Sequence, residues 1–165
     1  MTPPAFLQPE PITTDRLGLE PLRVGHAEEM APLVDDVRLH GFIGGEPLSF
    51  EALRERYARL VAGVSEGWLN WVVRRDGQVV GTVQATVDGD SADVAWVVGV
   101  AHQGRGYAGE AALGMVEWLW RNGIREVAAY VHPEHHASAA VAKRVGLVET
   151  GVVVDGEVRW VSAGR

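Results

Sequence analysis

The chain has 165 residues, long enough for one domain with a substantial core and no more. Its formal net charge of −7 speaks against non-specific binding to nucleic acid or to an anionic membrane surface. Cysteine is absent, so disulfides, thiolate metal sites and a cysteine nucleophile are excluded.

The acidic balance serves solubility and would also favour a cationic partner such as an amine. No apolar run reaches the length of a membrane span, and no basic-then-apolar leader opens the chain. A cytoplasmic location is therefore expected, with neither nucleic acid nor membrane as a partner.

Residues 1–11 carry four prolines and little pattern, and are expected to form a loose leader before a single domain over 12–165. Leu17, Leu19 and Leu22 suit a first strand, and 26–34 suits a short helix. A loop with adjacent Gly44 and Gly45 is expected over 41–47. Ser49 is placed to cap a helix in which Phe50, Leu53, Tyr57, Leu60, Val61 and Val64 share one face, with Gly67 closing it. Residues 69–75 and 78–87 read as strands joined at Asp76-Gly77, a hairpin signal. Asp88-Gly89 turns into a strand over 92–98. Asp155-Gly156 joins the last two strands, 148–154 and 157–161.

A glycine-rich turn, Gln103-Gly104-Arg105-Gly106-Tyr107-Ala108, follows the 92–98 strand. A helix then opens with apolar residues at Ala108, Ala111, Ala112, Met115, Val116 and Leu119. The next strand is 126–131. One helix between two strands predicts a parallel pair with a right-handed crossover, inside a sheet that is otherwise mostly antiparallel. The expected class is α+β, with helices on both faces of a mixed sheet and a central parallel strand pair.

The turn has the chemistry of an anion site. Glycines permit φ > 0 and close approach of a ligand to the main chain, and the helix presents free N–H groups and the positive end of its dipole there. The same spacing also serves a plain strand-to-helix turn.

Gln103-x-x-Gly106-x-Ala108 resembles the pyrophosphate-binding motif of the GNAT superfamily of N-acetyltransferases. Residues 131–138, Val-His-Pro-Glu-His-His-Ala-Ser, followed by Val141-Ala142-Lys143-Arg144-Val145-Gly146-Leu147, are similar to the family's next strand, loop and helix. The opening at 13–22, Thr-Thr-Asp-Arg-Leu-Gly-Leu-Glu-Pro-Leu, resembles the subgroup that acetylates the N-termini of ribosomal proteins. The resemblance implies acetyl-CoA as co-substrate and transfer of its acetyl group to an amine by direct attack in a ternary complex. The amine belongs to a small molecule or a protein N-terminus, and a homodimer is among the assemblies allowed.

By that resemblance Gln103, Gly104, Arg105, Gly106, Tyr107 and Ala108 hold the cofactor. Val98 and Val100 lie where the strand end meets the pantetheine arm, and the Val98 N–H serves as an oxyanion donor. His135 stands where the family most often has an asparagine that contacts the arm, and imidazole can still donate one hydrogen bond. Ser138 matches a serine near the cofactor sulfur; as a residue type it also suits a helix cap. The position where many members carry a tyrosine acid is Ala142, which excludes that acid.

For the general base, Asp93 is a candidate because a carboxylate in such a strand must be near solvent, paired or functional. His132, at the end of the next strand, is another, with a pKa in the right range; a strand-end hydrogen bond would equally explain it. A water chain without a single base is the third option. The spacing of His132, His135 and His136 does not match a metal site, so none is expected. Trp96 is the tryptophan placed to wall an acceptor site. A catalytically silent acyl-CoA-binding regulatory domain is the alternative function. A dinucleotide-binding domain does not suit the hairpin-rich first half.

Overall fold

The computed structural model describes residues 7–34 and 49–163. The expected loop over 41–47 and the first six residues of the expected leader lie outside them. Within the leader, Glu10 is tied to the core: its carbonyl accepts from Trp71 Nε1 at 2.8 Å and its carboxylate from Trp118 Nε1 at 3.1 Å. Those two indoles pack edge to face, 5.3 Å between centroids.

The strands are β1 (Ile12–Thr13), β2 (Gly18–Pro21), β3 (Trp68–Arg75), β4 (Gln78–Asp88), β5 (Ser91–Val98), β6 (Glu126–Val131), β7 (Leu147–Val154) and β8 (Glu157–Ser162). They form one sheet in the order β1-β2-β3-β4-β5-β6-β8-β7. Only β5 and β6 pair in parallel, as the single intervening helix requires. All three Asp-Gly turns form as read: Asp76 and Gly77, and Asp155 and Gly156, all have positive φ, the geometry of the tight hairpin turn, and Gly89, at φ +63°, turns β4 into β5. The short β1 was not legible, since two residues carry no periodicity.

Among the described residues four helices cover the sheet: α1 (His26–Val34), α2 (Phe50–Ala62), α3 (Tyr107–Arg121) and α4 (His136–Arg144). Ser49 caps α2, accepting from the Ala52 N–H at 3.1 Å. That helix stops at Ala62. A 3-10 turn over Gly63–Glu66 follows, and Gly67 at φ +92° ends it. The alternation of β3 feeds two cores. Leu69, Trp71 and Val73 face Met115, Val116 and Leu119 of α3, while Val72 faces Met30 of α1 and Leu53 and Tyr57 of α2. Helices therefore lie on both faces, with α3 on the first and α1 and α2 on the second.

Candidate active site

The site is set by where β5 and β6 stop pairing. Their parallel register covers Ser91 with Glu126, Ala92 with Val127 and Asp93 with Ala128, and then ends. Beyond it β5 stays on β4 up to Val98, and β6 stays on β8 up to Val131. The two strands part like a V.

The backbone at the mouth of the V is fixed by hydrogen-bond parity. The Gly99 N–H donates to the Val80 carbonyl at 2.8 Å, so the polar groups of Val98, one residue back, point away from β4 and into the gap. Trp96 has the same parity. The Val98 carbonyl accepts from Gln103 Nε2 at 2.9 Å. A side-chain amide thus donates the hydrogen bond that a paired β6 would otherwise supply, at the place where the strands stand apart. Gly81, opposite Val98, is required here: a Cβ on it would lie 2.1 Å from the Val97 carbonyl oxygen.

After β5 the chain makes a 3-10 turn, Val100–His102, and reaches the glycine turn. Gly104 and Gly106 take φ +80° and +79°, and Gly106 is the N-cap of α3. Its carbonyl accepts from the Glu110 N–H, so the N–H groups of Tyr107, Ala108 and Gly109 have no partner within the helix and form its positive end. From the turn to the V runs a cleft of about 540 Å³. Its walls include Trp96, Val98, Gln103, His135, Ser138 and Arg144.

Ser138 stands inside α4, whose N-cap is His135, so the helix-cap explanation for the serine fails. Its Oγ instead accepts from Trp96 Nε1 at 3.3 Å and lies 3.5 Å from His135 Nε2. Burial, with His132 nearby, holds the His135 imidazole below its usual value, so the ring is neutral at pH 7. The indole can only donate, so it occupies a lone pair of the serine oxygen and leaves the hydroxyl proton to be given elsewhere.

The description "Acetyltransferase (GNAT) domain" fits residues 16–148. The chain belongs to the GNAT acetyltransferase family. Members of this family use acetyl-CoA as co-substrate. No curated protein sequence matches the chain. Among solved structures, the ribosomal-protein alpha-N-acetyltransferase RimL in complex with coenzyme A superposes with a TM-score of 0.83 at 17% identity, covering 92% of this chain and 97% of that one. RimJ of Mycobacterium smegmatis with a coenzyme A disulfide gives 0.82 at 22%, covering 93% and 87%. The self-immunity acetyltransferase MccE with acetyl-CoA and AMP gives 0.79 at 16%, covering 90% and 92%. At these identities the likeness is one of fold.

On this GNAT scaffold the residues singled out from sequence fall into two groups. Val98, Val100, Gln103, Gly104, Gly106, Tyr107, Ala108, His135 and Ser138 all border the cleft. Val100 does so from the 3-10 turn rather than from the strand end. Arg105 enters by its backbone: its carbonyl accepts from Arg16 Nη1 at 3.0 Å, and its side chain is not part of the wall.

Asp93 and His132 stand apart from the cleft. Asp93 occupies the last paired rung of β5, on the face opposite Ala92 and Val94, which are buried under α3. Partial desolvation pushes its carboxyl above the usual range; Arg159 opposes that and Glu126 adds to it. His132 Nδ1 accepts from the Glu134 N–H at 3.1 Å, the strand-end hydrogen bond that was its structural explanation. Among the described residues no cluster of three His, Asp or Glu side chains is placed to hold a metal.

Sequence reading passed over two arginines. Arg144, the last residue of α4, borders the cleft and donates from Nη1 to the Gly106 carbonyl at 3.3 Å. A basic last turn complements a helix dipole anywhere, so its position gives no sign of this contact. Arg16 reaches the same turn from the start of the chain.

Proposed function

We propose that this acetyltransferase moves the acetyl group of acetyl-CoA to a primary amine by direct attack, with both substrates bound. The observation that supports this most is the V between β5 and β6, which opens just beyond the Asp93 rung and has the glycine turn at its wide end. The main-chain N–H groups of Gly104, Gly106, Tyr107 and Ala108 receive the pyrophosphate. The pantetheine arm enters the gap past Val98 and Val100, beside His135.

Ser138 abuts Trp96, so a hydroxyl directed at the cofactor sulfur brings the thioester carbonyl against this part of β5. The Trp96 and Val98 N–H groups, both turned into the gap, are the donors for the oxyanion of the tetrahedral intermediate. The amine attacks the carbonyl carbon, and collapse breaks the C–S bond. The Ser138 hydroxyl supplies a hydrogen bond to the departing thiolate. Asp93 is the base that takes the amine proton. It lies three residues from Trp96, about 10 Å along the strand at ~3.3 Å per residue, so it acts through intervening water. His132 shapes the loop after β6.

For the acceptor, the fold neighbours that are ribosomal-protein N-acetyltransferases favour a protein N-terminus over a small amine. The acidic chain suits either, and the cytoplasm suits both. No helix among the described residues is long and apolar enough to cross a membrane.

The test has two parts. Acetyl-CoA at about 100 times Kd should stabilise the fold by about 2.7 kcal/mol, a Tm rise of roughly 5–10 °C, with NADH giving much less. Thiol release from acetyl-CoA should then depend on an added amine, screened across N-terminal peptides, polyamines, aminoglycosides and amino acids. Stabilisation without thiol release under any of them would return the chain to the silent binding domain.

A further inference from the structure

The role of Arg16 rests on acetyl-CoA occupying the cleft. One carboxylate, Glu110 in the first turn of α3, accepts three hydrogen bonds from a segment more than ninety residues earlier. Thr14 Oγ1 donates to Oε2 at 2.6 Å, the Arg16 N–H to Oε2 at 2.8 Å, and Arg16 Nε to Oε1 at 2.7 Å. Burial would raise the Glu110 carboxyl, but these bonds outweigh it and hold the group below its usual range. The Arg16 guanidinium then continues across the glycine turn. Its Nη1 donates to the Arg105 carbonyl at 3.0 Å, and its centre lies 4.9 Å above the Tyr107 ring.

We propose that Thr14, Arg16 and Glu110 form a lock on the 104–106 turn, with Arg16 the positioning residue for the cofactor's phosphates. In a trans peptide the C=O and the following N–H point in opposite directions. Arg16 holds the Arg105 carbonyl outside the cleft, so the Gly106 N–H of that same peptide is turned inward, where an anion would sit. A turn with two glycines at positive φ has many alternative shapes. If the peptide flipped, it would present a carbonyl oxygen to the phosphate. The lock removes that state before the ligand arrives, so binding need not supply the ordering. Arg16 itself is not part of the cleft wall, and acts through the backbone it holds. The Thr-x-Arg at 14–16 and the glutamate four residues after the motif's second glycine thus form one device spread over the chain.

The lock serves the phosphates and leaves the acyl end alone, and that selectivity is the test. Calorimetry measures Kd for acetyl-CoA, and ligand-observed NMR measures Kd for S-acetylpantetheine, which has no phosphate. Neither needs the acceptor amine. Arg16→Gln and Glu110→Gln should each weaken acetyl-CoA roughly 10- to 100-fold and change S-acetylpantetheine less than about twofold. Arg16→Lys, which keeps the charge but cannot fork to Glu110 and Arg105 together, should fall between wild type and Arg16→Gln. The double variant should bind no more weakly than the weaker single, because both act through one turn. Equal losses for the two ligands, or single losses that multiply in the double variant, would show a merely structural contact and overturn the lock. Tight acetyl-CoA binding by wild type and variants alike would also overturn it, leaving the proposed function standing. Failure of the wild type to bind acetyl-CoA would overturn both.

Discussion

Over residues 91–93 strand β5 has hydrogen-bonded neighbours on both sides; over 94–98 it has one, β4. The same strand is scaffold in its first half and binding surface in its second. The residues follow the division. In the paired half Ala92 is core, buried against α3, and Val94, the first residue beyond the pairing, is still buried there. Trp96 and Val98 turn their backbone polar groups into the gap, and Trp96 gives its indole to Ser138. Central strands are normally satisfied on both edges, and unpaired main-chain groups inside a fold are costly. The gap is therefore a place where a ligand arm that can itself hydrogen-bond to backbone is strongly favoured. The comparison also separates chemistry. Ser138, proposed for the leaving group, meets the parted half from α4 through Trp96, and the proposed base, Asp93, lies on the last paired rung, on the other face.

The largest expected effect comes from closing the cofactor end of the parted half. Gly106 caps α3 at φ +79°, and a Cβ there would lie 3.4 Å from Arg16 Nη2 and 3.7 Å from Arg144 Nη1. Gly106→Glu adds strain and a carboxylate among the groups that would receive the pyrophosphate. It should abolish the Tm rise with acetyl-CoA. A thermal shift that survives in this variant would move the phosphates elsewhere.

Next is the leaving group. A hydroxyl hydrogen-bonded to a charged acceptor is worth about 1.5–3 kcal/mol, so Ser138→Ala should slow kcat roughly 10- to 150-fold. The Kd for acetyl-CoA should hardly move, because a thioester sulfur is a poor acceptor. Ser138 does not cap α4, so a large fall in Tm is not expected either. An unchanged kcat with a lower Tm would make the serine a packing residue, its hydroxyl serving Trp96 alone.

How legible this was in the sequence depends on the range of the forces involved. The glycine turn, the Asp-Gly hairpins and the Ser49 cap could be read because each satisfies a local stereochemical demand. The parallel pair could be read because one helix between two strands leaves little choice. The place where that pair parts could not, since it depends on Gln103 bonding the Val98 carbonyl and on Gly81 admitting β5, neither of which leaves a period. Arg16 and Glu110 stood in plain view as charged residues on opposite sides of the chain's middle, and nothing local marks them as partners. Ser138 had one role from the family resemblance and another, the helix cap, from its residue type, and only the fold removed the second.

The smallest effect, and the one that sharpens the comparison most, concerns the paired half. If Asp93 takes the amine proton through water from about 10 Å away, it gives less than a base in direct contact. Asp93→Asn should lower kcat/KM at pH 7 roughly 10- to 100-fold, at or below the usual range for a positioned base. The pH profile then carries the sign. The carboxylate is the working form, and partial desolvation raises its pKa, so the acid limb of kcat/KM should lie at higher pH than an ordinary aspartate would give. Arg159 opposes that rise, so Arg159→Gln should move the limb further up, while Glu126→Gln should move it down. In Asp93→Asn the limb should vanish, and the deficit should shrink at high pH as more of the amine is already neutral. A limb that persists in Asp93→Asn, or that ignores Arg159 and Glu126, would leave the proton to water and make the paired half of β5 scaffold alone.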